Sequence, residues 1–317
     1  MTNSSTLASG VYAALATPRQ PNASRGDAAA LLDYLDAIAA GGVDGLVLFG
    51  STGEFVHFDV EERMRMLMLA IKRSRVPMLV NVAHSTLAGA VELAEDAIAN
   101  GAAGVLLMPP YFYRYTEDQI GEFYSRFAKE LAGRIPIYLY NVPQFTNAIS
   151  ADLAERLFST GAFAGIKDSS GDWQFFTQLN RLRPGLSFQL LLGSESGYFR
   201  AKEAGADGVV SGIAAALPEL IVALHRALGS NDSEHAKQLN ARVNEFLAYV
   251  EKFPATIVIK QAAFLRGWSL NNFAFPLDED SAAELIGFRR WFREWLPETL
   301  ALCANSPWVS RNAGPSR

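Results

Sequence analysis

The stretch Phe163-Ala164-Gly165-Ile166-Lys167-Asp168-Ser169-Ser170-Gly171 predicts a short apolar strand that ends on a lysine and leads into a polar turn. Lysine is rarely buried, so a lysine at the end of an apolar strand is unusual. Burial disfavours the charged form of a lysine, and a neutral amine can attack a ketone to form a Schiff base. Two interpretations of Lys167 follow: it is a covalent catalyst, or its amine only extends to the rim of a sheet.

On both sides of this stretch, apolar runs alternate with helical patterns. Eight runs predict strands, namely Val11–Ala16, Val43–Phe49, Pro77–Val82, Ala103–Met108, Pro136–Tyr140, Phe163–Lys167, Phe188–Leu192 and Asp207–Ser211. The runs are apolar throughout rather than alternating, which is typical of parallel strands that are covered on both faces. Eight strands, each followed by a helical stretch, predict an α/β fold of the (β/α)8 TIM barrel type.

Helical patterns continue after the eighth unit. They lie at Pro218–Leu228, Glu234–Val250, Ala255–Leu265 and Asp280–Leu296 and predict a C-terminal helical extension. The predicted organisation is a disordered N-terminus (1–9), a barrel (10–228), the helical extension (229–300) and a frayed tail (301–317).

Composition excludes several classes of function. The chain has 317 residues and a net charge of −5, so it has no basic field that would attract nucleic acid. No apolar window is long enough to predict a membrane span, and residues 1–9 lack the apolar segment of a signal peptide. The single Cys303 excludes an internal disulfide framework and predicts a reducing, cytoplasmic location.

The residues that usually bind metals are few. The four histidines are His57, His84, His225 and His235, and none lies at ligand spacing from another. Cys303 lies outside the predicted barrel. The sequence therefore predicts no metal site and no thiol nucleophile, and Lys167 is the one candidate covalent catalyst at the barrel mouth.

In TIM barrels, chemistry takes place where the strands end. The turn Gly50–Gly53 offers backbone N–H groups at a helix N-terminus for a carboxylate, or it is only a tight turn. Tyr140 ends the strand next to that of Lys167, so its phenol can meet the amine and carry a proton, unless it only packs at the rim. Glu195 either binds substrate hydroxyls or is an acid at a helix start.

Three motifs in this order and spacing resemble the dihydrodipicolinate synthase / N-acetylneuraminate lyase family. They are Gly50-Ser51-Thr52-Gly53-Glu54, Tyr140-Asn141-Val142-Pro143 and Gly165-Ile166-Lys167-Asp168, and the resemblance extends from about Val11 to Leu296. It implies a class I aldolase without a cofactor, whose Lys167 forms a Schiff base with pyruvate or another 2-keto acid. It also implies a homotetramer built as a dimer of dimers.

The resemblance implies roles for further residues. Tyr140 would shuttle a proton to and from the substrate oxygen, and the Ser51 hydroxyl would relay it. Ser51 and Thr52, in the turn that begins at Gly50, would bind the substrate carboxylate. Val210 matches a small apolar position whose backbone carbonyl lies near the site.

Two positions depart from the family pattern. Family synthases have an arginine for the second substrate's carboxylate where this chain has Phe145, and an apolar ring cannot pair with that charge. The tyrosine that a neighbouring subunit lends in the family corresponds to Phe112, and either Tyr111 or Tyr113 replaces it or the enzyme works without that proton relay.

Pro109-Pro110-Tyr111 and Gly50–Phe55 resemble the 2-keto-3-deoxy-sugar-acid aldolases and dehydratases, and together with these departures they favour that side of the family. The predicted function is therefore reversible cleavage of a 2-keto-3-deoxy sugar acid to pyruvate and an aldehyde. The alternatives are dihydrodipicolinate synthesis, dehydration of a 2-keto-3-deoxy acid, and non-catalytic binding of a small acid. Whether Asn147 contacts the aldehyde half is left open by the sequence.

Overall fold

The eight apolar runs form the eight parallel strands of a closed barrel in a computed structural model that describes residues 7–21, 25–230, 232–254 and 256–304. Each strand pairs with the next along the chain, and the last pairs with the first. The strands are β1 (Val11–Ala14), β2 (Gly45–Leu48), β3 (Met78–Asn81), β4 (Gly104–Leu107), β5 (Ile137–Asn141), β6 (Gly165–Asp168), β7 (Gln189–Leu192) and β8 (Gly208–Ser211). The predicted TIM barrel is confirmed.

Most strands are shorter than the apolar runs that predicted them. Leu15, Ala16 and Phe49 lie beyond the last ladder positions of β1 and β2, yet they are fully buried. An apolar run therefore marks the buried length of each segment, which exceeds the length of the regular strand.

A helix follows each strand on the outside of the barrel. These helices are α1 (Ala28–Ala40), α2 (Val60–Arg73), α3 (Leu87–Asn100), α4 (Glu117–Leu131), α5 (Ala151–Ser159), α6 (Trp173–Leu182), α7 (Tyr198–Glu203) and α8 (Pro218–Gly229). The side chains of Asp27, Asp59, Thr86, Thr116, Ser150 and Asp172 cap the first six. Each cap satisfies an otherwise unpaired N–H and contributes about 1 kcal/mol.

Glycines make room for two tyrosines at the N-terminal end of the barrel. The even-numbered strands all begin with glycine, and a Cβ at Gly45 would lie 2.6 Å from the ring of Tyr12. A Cβ at Gly165 would lie 2.9 Å from the ring of Tyr138, whose hydroxyl donates a 2.7 Å hydrogen bond to Gln189. Within this layer, strands that supply a large side chain alternate with strands that supply a glycine. The layer closes the N-terminal end of the barrel and leaves the C-terminal end for a site.

Leu7 also belongs to this closed end, although the sequence predicted disorder for residues 1–9. Leu7 is buried, and its carbonyl accepts a 2.7 Å hydrogen bond from the Gln189 side chain. The Tyr12 hydroxyl donates to the carbonyl of Ala8 at 2.6 Å. The prediction is wrong for this segment because an apolar side chain covers the barrel floor, and residues 1–6 lie outside the described ranges.

The predicted helical extension is present as α9 (Ser233–Val250), α10 (Ile257–Leu265) and α11 (Glu279–Ala304). Helix α11 passes through Pro297 and continues for two turns beyond the predicted end at Leu296. Thr299 and Cys303 are buried on it, so packing of this last stretch offsets the hydrogen bond that proline removes. Part of the predicted tail is therefore helical, and residues 305–317, like Ala255, are outside the described part.

The helices of the described ranges include none that combines the length and apolarity needed to cross a membrane. The division of the chain into a barrel at 10–228 and an extension at 229–300 stays a prediction.

Candidate active site

Lys167 and Tyr140 lie side by side inside the barrel. They are paired residues in the register of β5 and β6, so both side chains stand at the same height. The Lys167 side chain is buried, with 2% of the residue exposed, and its Nζ lies 4.0 Å from the centre of the Tyr140 ring. The parallel register brings together the amine and the phenol that the sequence predicted could meet.

The Tyr140 hydroxyl is set up to exchange a proton. It is completely buried and lies 3.0 Å from the Oγ of Ser51. Burial by itself raises the pKa of this phenol, but the charge of Lys167 and hydrogen bonds from Ser51, Lys167 and Ser169 outweigh it. The pKa of Tyr140 is therefore lowered, which makes the phenolate accessible as a base.

Gly193 creates the space that Lys167 occupies. A Cβ at this position, just after β7, would overlap the Ser169 hydroxyl and lie 2.8 Å from the Cε of Lys167. The sequence identified neither Gly193 nor Ser169 as a site residue. Both positions are parts of the site because they set where the amine points and what the phenol bonds to.

A buried polar frame holds the end of β6. The Asp168 carboxylate accepts a 2.9 Å hydrogen bond from the Asn141 amide and two more from the N–H and hydroxyl of Ser170. Burial raises the pKa of Asp168, and these hydrogen bonds work in the opposite direction. The frame fixes the backbone next to Lys167 without placing a carboxylate against the amine.

The turn Gly50–Gly53 is tight, and part of its donor capacity is used internally. The N–H of Gly53 donates to the carbonyl of Gly50, and that of Glu54 to the carbonyl of Ser51, both at 3.0 Å. The turn leads into a single 3₁₀ turn (Phe55–His57) rather than the N-terminus of an α-helix, which corrects the prediction. The donors left for a carboxylate are the N–H groups of Ser51 and Thr52, which bond to no acceptor among the described residues, and their hydroxyls.

A chamber of about 580 Å³ opens beyond Ser51 and Thr52. Its lining includes the predicted residues Ser51, Thr52, Tyr111, Phe112 and Phe145, and adds Glu54, Phe55, Val56, His57, Met108, Thr256 and Ile259. Ser51 is bonded to Tyr140 and also lines the chamber, so one hydrogen bond links the chamber lining to the lysine–phenol pair, although neither Lys167 nor Tyr140 lines the chamber itself. The residues added here were missed because several come from segments far apart in the chain.

Two loops form one wall of the chamber and are bound to each other. Asn147, after β5, donates to the carbonyls of Pro110 and Tyr113 at 2.9 and 3.0 Å and accepts from the N–H of Tyr115 at 3.1 Å. Phe112 lies between these anchors with a φ of +80° and 86% of its surface exposed. Asn147 therefore shapes the wall from behind and does not line the chamber.

Tyr111 and Tyr113, the two candidates to replace the tyrosine missing at Phe112, are placed differently. Tyr111 lines the chamber and packs edge to face against Phe55, with ring centres 5.6 Å apart. Tyr113 is exposed, contacts the ring of Phe112 and is not part of the chamber lining in the described chain. Within one subunit, Tyr111 is therefore the tyrosine that can reach a bound molecule.

Glu195 fits neither interpretation that the sequence offered. Its Oε1 accepts hydrogen bonds from the Ser211 hydroxyl at 2.6 Å and from the N–H of Ile213 at 2.9 Å. It thereby caps the 3₁₀ turn after β8 (Ile213–Ala215) rather than the start of its own helix, and it lies outside the chamber lining of the described residues. Val210, in β8, is buried and pairs with Tyr12 of β1.

A second buried lysine is paired with a residue of the chamber lining. Lys260, in α10, is 0% exposed and forms an ion pair with Glu54, which follows the turn Gly50–Gly53. Burial lowers the pKa of Lys260, and the Glu54 carboxylate partly opposes this effect. The sequence did not predict this pair, because its members are 206 residues apart.

No cluster of metal-ligating side chains is found within the described ranges.

The TIM barrel holds a buried lysine that faces a phenol, and the neighbouring chamber offers hydrogen-bond donors for a carboxylate. This combination defines a carbon–carbon lyase of the class I aldolase type. The sequence model of the dihydrodipicolinate synthetase family matches residues 7–286. The chain therefore belongs to this family, as its three motifs predicted.

Similar proteins agree with this assignment. An uncharacterized DapA-like lyase of Halobacterium salinarum is 31% identical over 81% of this chain and 86% of its own length. The probable 2-dehydro-3-deoxy-D-pentonate aldolase YjhH of Escherichia coli is 28% identical over 79% of this chain and 85% of its own. The crystal structure of YagE from Escherichia coli, in complex with pyruvate, has a TM-score of 0.83 and 25% identity and covers 90% of this chain and 98% of YagE.

Proposed function

We propose that this enzyme forms a Schiff base between Lys167 and the keto carbon of a 2-keto acid and reversibly cleaves the acid to pyruvate and an aldehyde. The observation that carries this proposal is the burial of the Lys167 amine against Tyr140, which is itself bonded to Ser51. A desolvated amine next to a proton carrier has the arrangement that imine formation needs.

The imine makes carbon–carbon cleavage feasible. The Lys167 amine adds to C2 of the substrate, and loss of water gives an iminium. A base takes the proton of the C4 hydroxyl, the C3–C4 bond breaks, and its electron pair moves into the iminium to give an enamine. Protonation at C3 and hydrolysis then release pyruvate and restore the amine. Because the iminium accepts the electron pair, the proposed reaction needs no cofactor.

Tyr140 is the proposed base of this sequence. Its lowered pKa favours the phenolate, and Ser51 lies within hydrogen-bonding reach to pass the proton on. The carboxylate of the keto acid would bind the N–H groups and hydroxyls of Ser51 and Thr52. This binding would place C2 of the acid next to Lys167.

The remaining part of the substrate is proposed from the sequence and from the similar proteins. The sequence predicts a 2-keto-3-deoxy sugar acid, and the likeness to the aldolase YjhH supports an acid with a C3 methylene and a C4 hydroxyl. The likeness to pyruvate-bound YagE supports pyruvate as the common fragment. A dimer-of-dimers homotetramer and a cytoplasmic location are proposed from the family resemblance alone.

Three alternatives stay open to experiment. The family name includes dihydrodipicolinate synthesis, but Phe145 offers no charge for the carboxylate of a second substrate. A dehydratase would form the same imine and expel the C4 hydroxyl instead of breaking C3–C4. A non-catalytic acid-binding protein would bind the carboxylate without forming an imine.

Borohydride trapping tests the proposal. We expect incubation with pyruvate and borohydride to give a reduced adduct that mass spectrometry locates on Lys167. The buried Lys260 serves as an internal control, because its amine is paired with a carboxylate and should stay unmodified. Absence of an adduct on Lys167 would exclude the mechanism. Robust condensation of pyruvate with aspartate semialdehyde would instead favour the synthase.

A further inference from the structure

The backbone is strained on both sides of the turn Gly50–Gly53. Phe49, directly before the turn, has a φ of +59°, and Glu54, directly after it, has a φ of +52°. Residues with a Cβ rarely adopt this left-handed conformation, and it persists only where the surroundings impose it. The turn that offers the N–H groups of Ser51 and Thr52 is therefore held by its neighbours rather than by its own preference.

Two buried side chains hold the turn from the barrel. The Asn81 amide, at the end of β3, donates to the carbonyl of Phe49 at 2.7 Å. The Thr17 hydroxyl, beyond the end of β1, donates to the carbonyl of Gly53 at 2.7 Å. Gly53 packs so closely that a Cβ there would lie 2.9 Å from the Cα of Phe49. These contacts fix the backbone before the turn and at its last residue.

The helical extension holds the residue that follows the turn. Glu54 is 8% exposed, and its carboxylate is ion-paired with the fully buried Lys260 of α10. The Lys260 amine also donates to the carbonyl of Asn272 at 3.5 Å, and the Asn272 amide donates to the carbonyl of Arg19 at 3.0 Å. The pair therefore connects the strained end of the turn to the extension and to the loop after β1.

The chemistry of this pair suits the fixing of a position. Apolar residues of similar volume can often replace a buried ion pair without loss of stability, so stability alone does not require the two charges. An ion pair differs from an apolar contact because it favours one placement of its two groups. Since Glu54 is the first residue after the turn, fixing its side chain restrains the backbone that carries the strain.

We propose that Glu54 and Lys260 are positioning residues for the carboxylate of the keto acid. Their ion pair holds Glu54 in its left-handed conformation, which keeps the N–H groups of Ser51 and Thr52 directed at one carboxylate. Neither member of the pair has to contact the substrate. This role rests on the proposed Schiff-base function, and it gives the helical extension a part in substrate binding.

The test compares two ketones that differ in the carboxylate. Pyruvate and acetone can both form an imine with Lys167, but only pyruvate has a carboxylate for the turn. Borohydride trapping over a range of concentrations of each ketone, with mass spectrometry of the Lys167 adduct, gives the half-saturating concentration and the maximal extent of modification. The native enzyme should trap pyruvate at much lower concentrations than acetone.

The double variant Glu54→Gln/Lys260→Met removes both charges of the pair. Because a hydrogen bond to a charged group contributes about 10- to 100-fold in affinity, we expect the half-saturating concentration of pyruvate to rise by about that factor. The maximal extent of trapping and the trapping of acetone should stay close to native, since the reactive lysine is untouched. Glu54→Gln alone keeps an acceptor for the amine and should give a smaller rise, which is the measurement that decides if the double variant does not fold.

Arg266→Met/Glu219→Gln is the matched control. Arg266, directly after α10, forms a 2.6 Å ion pair with Glu219 of α8, so this variant removes another connection between the extension and the barrel. It should leave the half-saturating concentrations of both ketones unchanged. Denaturant unfolding shows whether each variant is folded.

The outcomes separate the positioning role from the proposed function. An unchanged half-saturating concentration of pyruvate in the folded Glu54 and Lys260 variants would overturn the role of the pair. Equal losses for pyruvate and acetone, or an equal loss in the control variant, would also overturn it, because they indicate general damage to the site. If pyruvate gives no adduct on Lys167 in the native enzyme, the proposed function falls and the positioning role falls with it.

Discussion

The molecule contains two deeply buried lysines that differ in what they face. Lys167 lies near the C-terminal end of β6, over the ring of Tyr140, and Lys260 lies on α10 in an ion pair with Glu54. The two are almost equally buried, at 2% and 0% exposed. Burial alone therefore does not identify a catalytic lysine, and the partner of the amine is the informative feature.

The partners lead to different chemistry. A carboxylate at contact distance compensates the charge of a buried ammonium and holds the amine in an ion pair. A phenol can take up and return a proton, so the phenol beside Lys167 can serve as a proton carrier for a reaction at the amine. Lys260 connects the helical extension to Glu54, directly after the turn Gly50–Gly53, whereas Lys167 is the amine that we propose reacts.

The largest expected effect comes from removing the reactive amine. Lys167→Met should lower turnover of any 2-keto acid by several decades, because no other group can form the covalent intermediate. The far-UV circular dichroism spectrum and the denaturation midpoint should change little, since a long apolar side chain fits a buried site. Turnover measurements on the purified variant check this. Residual activity within tenfold of the native enzyme would show that Lys167 does not form the covalent intermediate.

The corresponding change at Lys260 should act on stability. Lys260→Met leaves the Glu54 carboxylate buried without its partner, and loss of one member of a buried ion pair costs about 3–5 kcal/mol. The double variant Glu54→Gln/Lys260→Met removes the uncompensated charge and should recover most of that loss. Denaturant unfolding of the three proteins gives the free energies. A destabilisation below about 1 kcal/mol in the single variant would contradict the assigned role.

This comparison also shows how much the sequence could predict. The pairing of Tyr140 with Lys167 was predictable, because both end apolar runs in consecutive units and parallel register aligns such ends. The ion pair of Glu54 and Lys260 was not, because it joins a turn to a helix of the extension, and no periodicity relates them. Local patterns thus predicted the barrel and the reactive pair, while long-range contacts were out of reach.

The chamber illustrates the same limit. The sequence identified Phe112 and Phe145 as departures from a family pattern, but it could not show that Asn147 binds the two loops into one wall. The left-handed backbone of Phe112 could not be predicted either, because the propensity of phenylalanine favours other conformations. Likewise, the need for glycine at position 193 depends on side chains from β6.

Gly193 offers a smaller and more local test of the reactive lysine. Gly193→Ala places a methyl group 2.8 Å from the Cε of Lys167 and against the Ser169 hydroxyl, so the amine must shift. Because a misplacement of about 1 Å can cost 10²-fold, we expect kcat to fall by about that factor. Gly197→Ala is the control from the same loop, since a Cβ there meets nothing within 4 Å. If Gly193→Ala keeps native turnover, as the control Gly197→Ala should, Gly193 does not set the position of the Lys167 amine.

The smallest expected effect concerns the pH dependence of the phenol beside Lys167. If the Tyr140 phenolate is the base, kcat/KM should rise with pH through the pKa of Tyr140. The Ser51 hydroxyl lowers that pKa by bonding to the phenolate. Ser51→Ala removes the bond, so the pKa of Tyr140 should rise and the ascending limb should move to higher pH.

Tyr140→Phe completes this test, because it removes the titrating group and should abolish the limb. The measurement is kcat/KM against pH for the native enzyme and both variants. A general loss of carboxylate binding in Ser51→Ala would lower the whole profile without moving it, so the position of the limb separates proton transfer from binding. A limb that stays in place in Ser51→Ala, or that persists in Tyr140→Phe, would assign the proton to another group. It would then leave the phenol beside Lys167 with only a packing role.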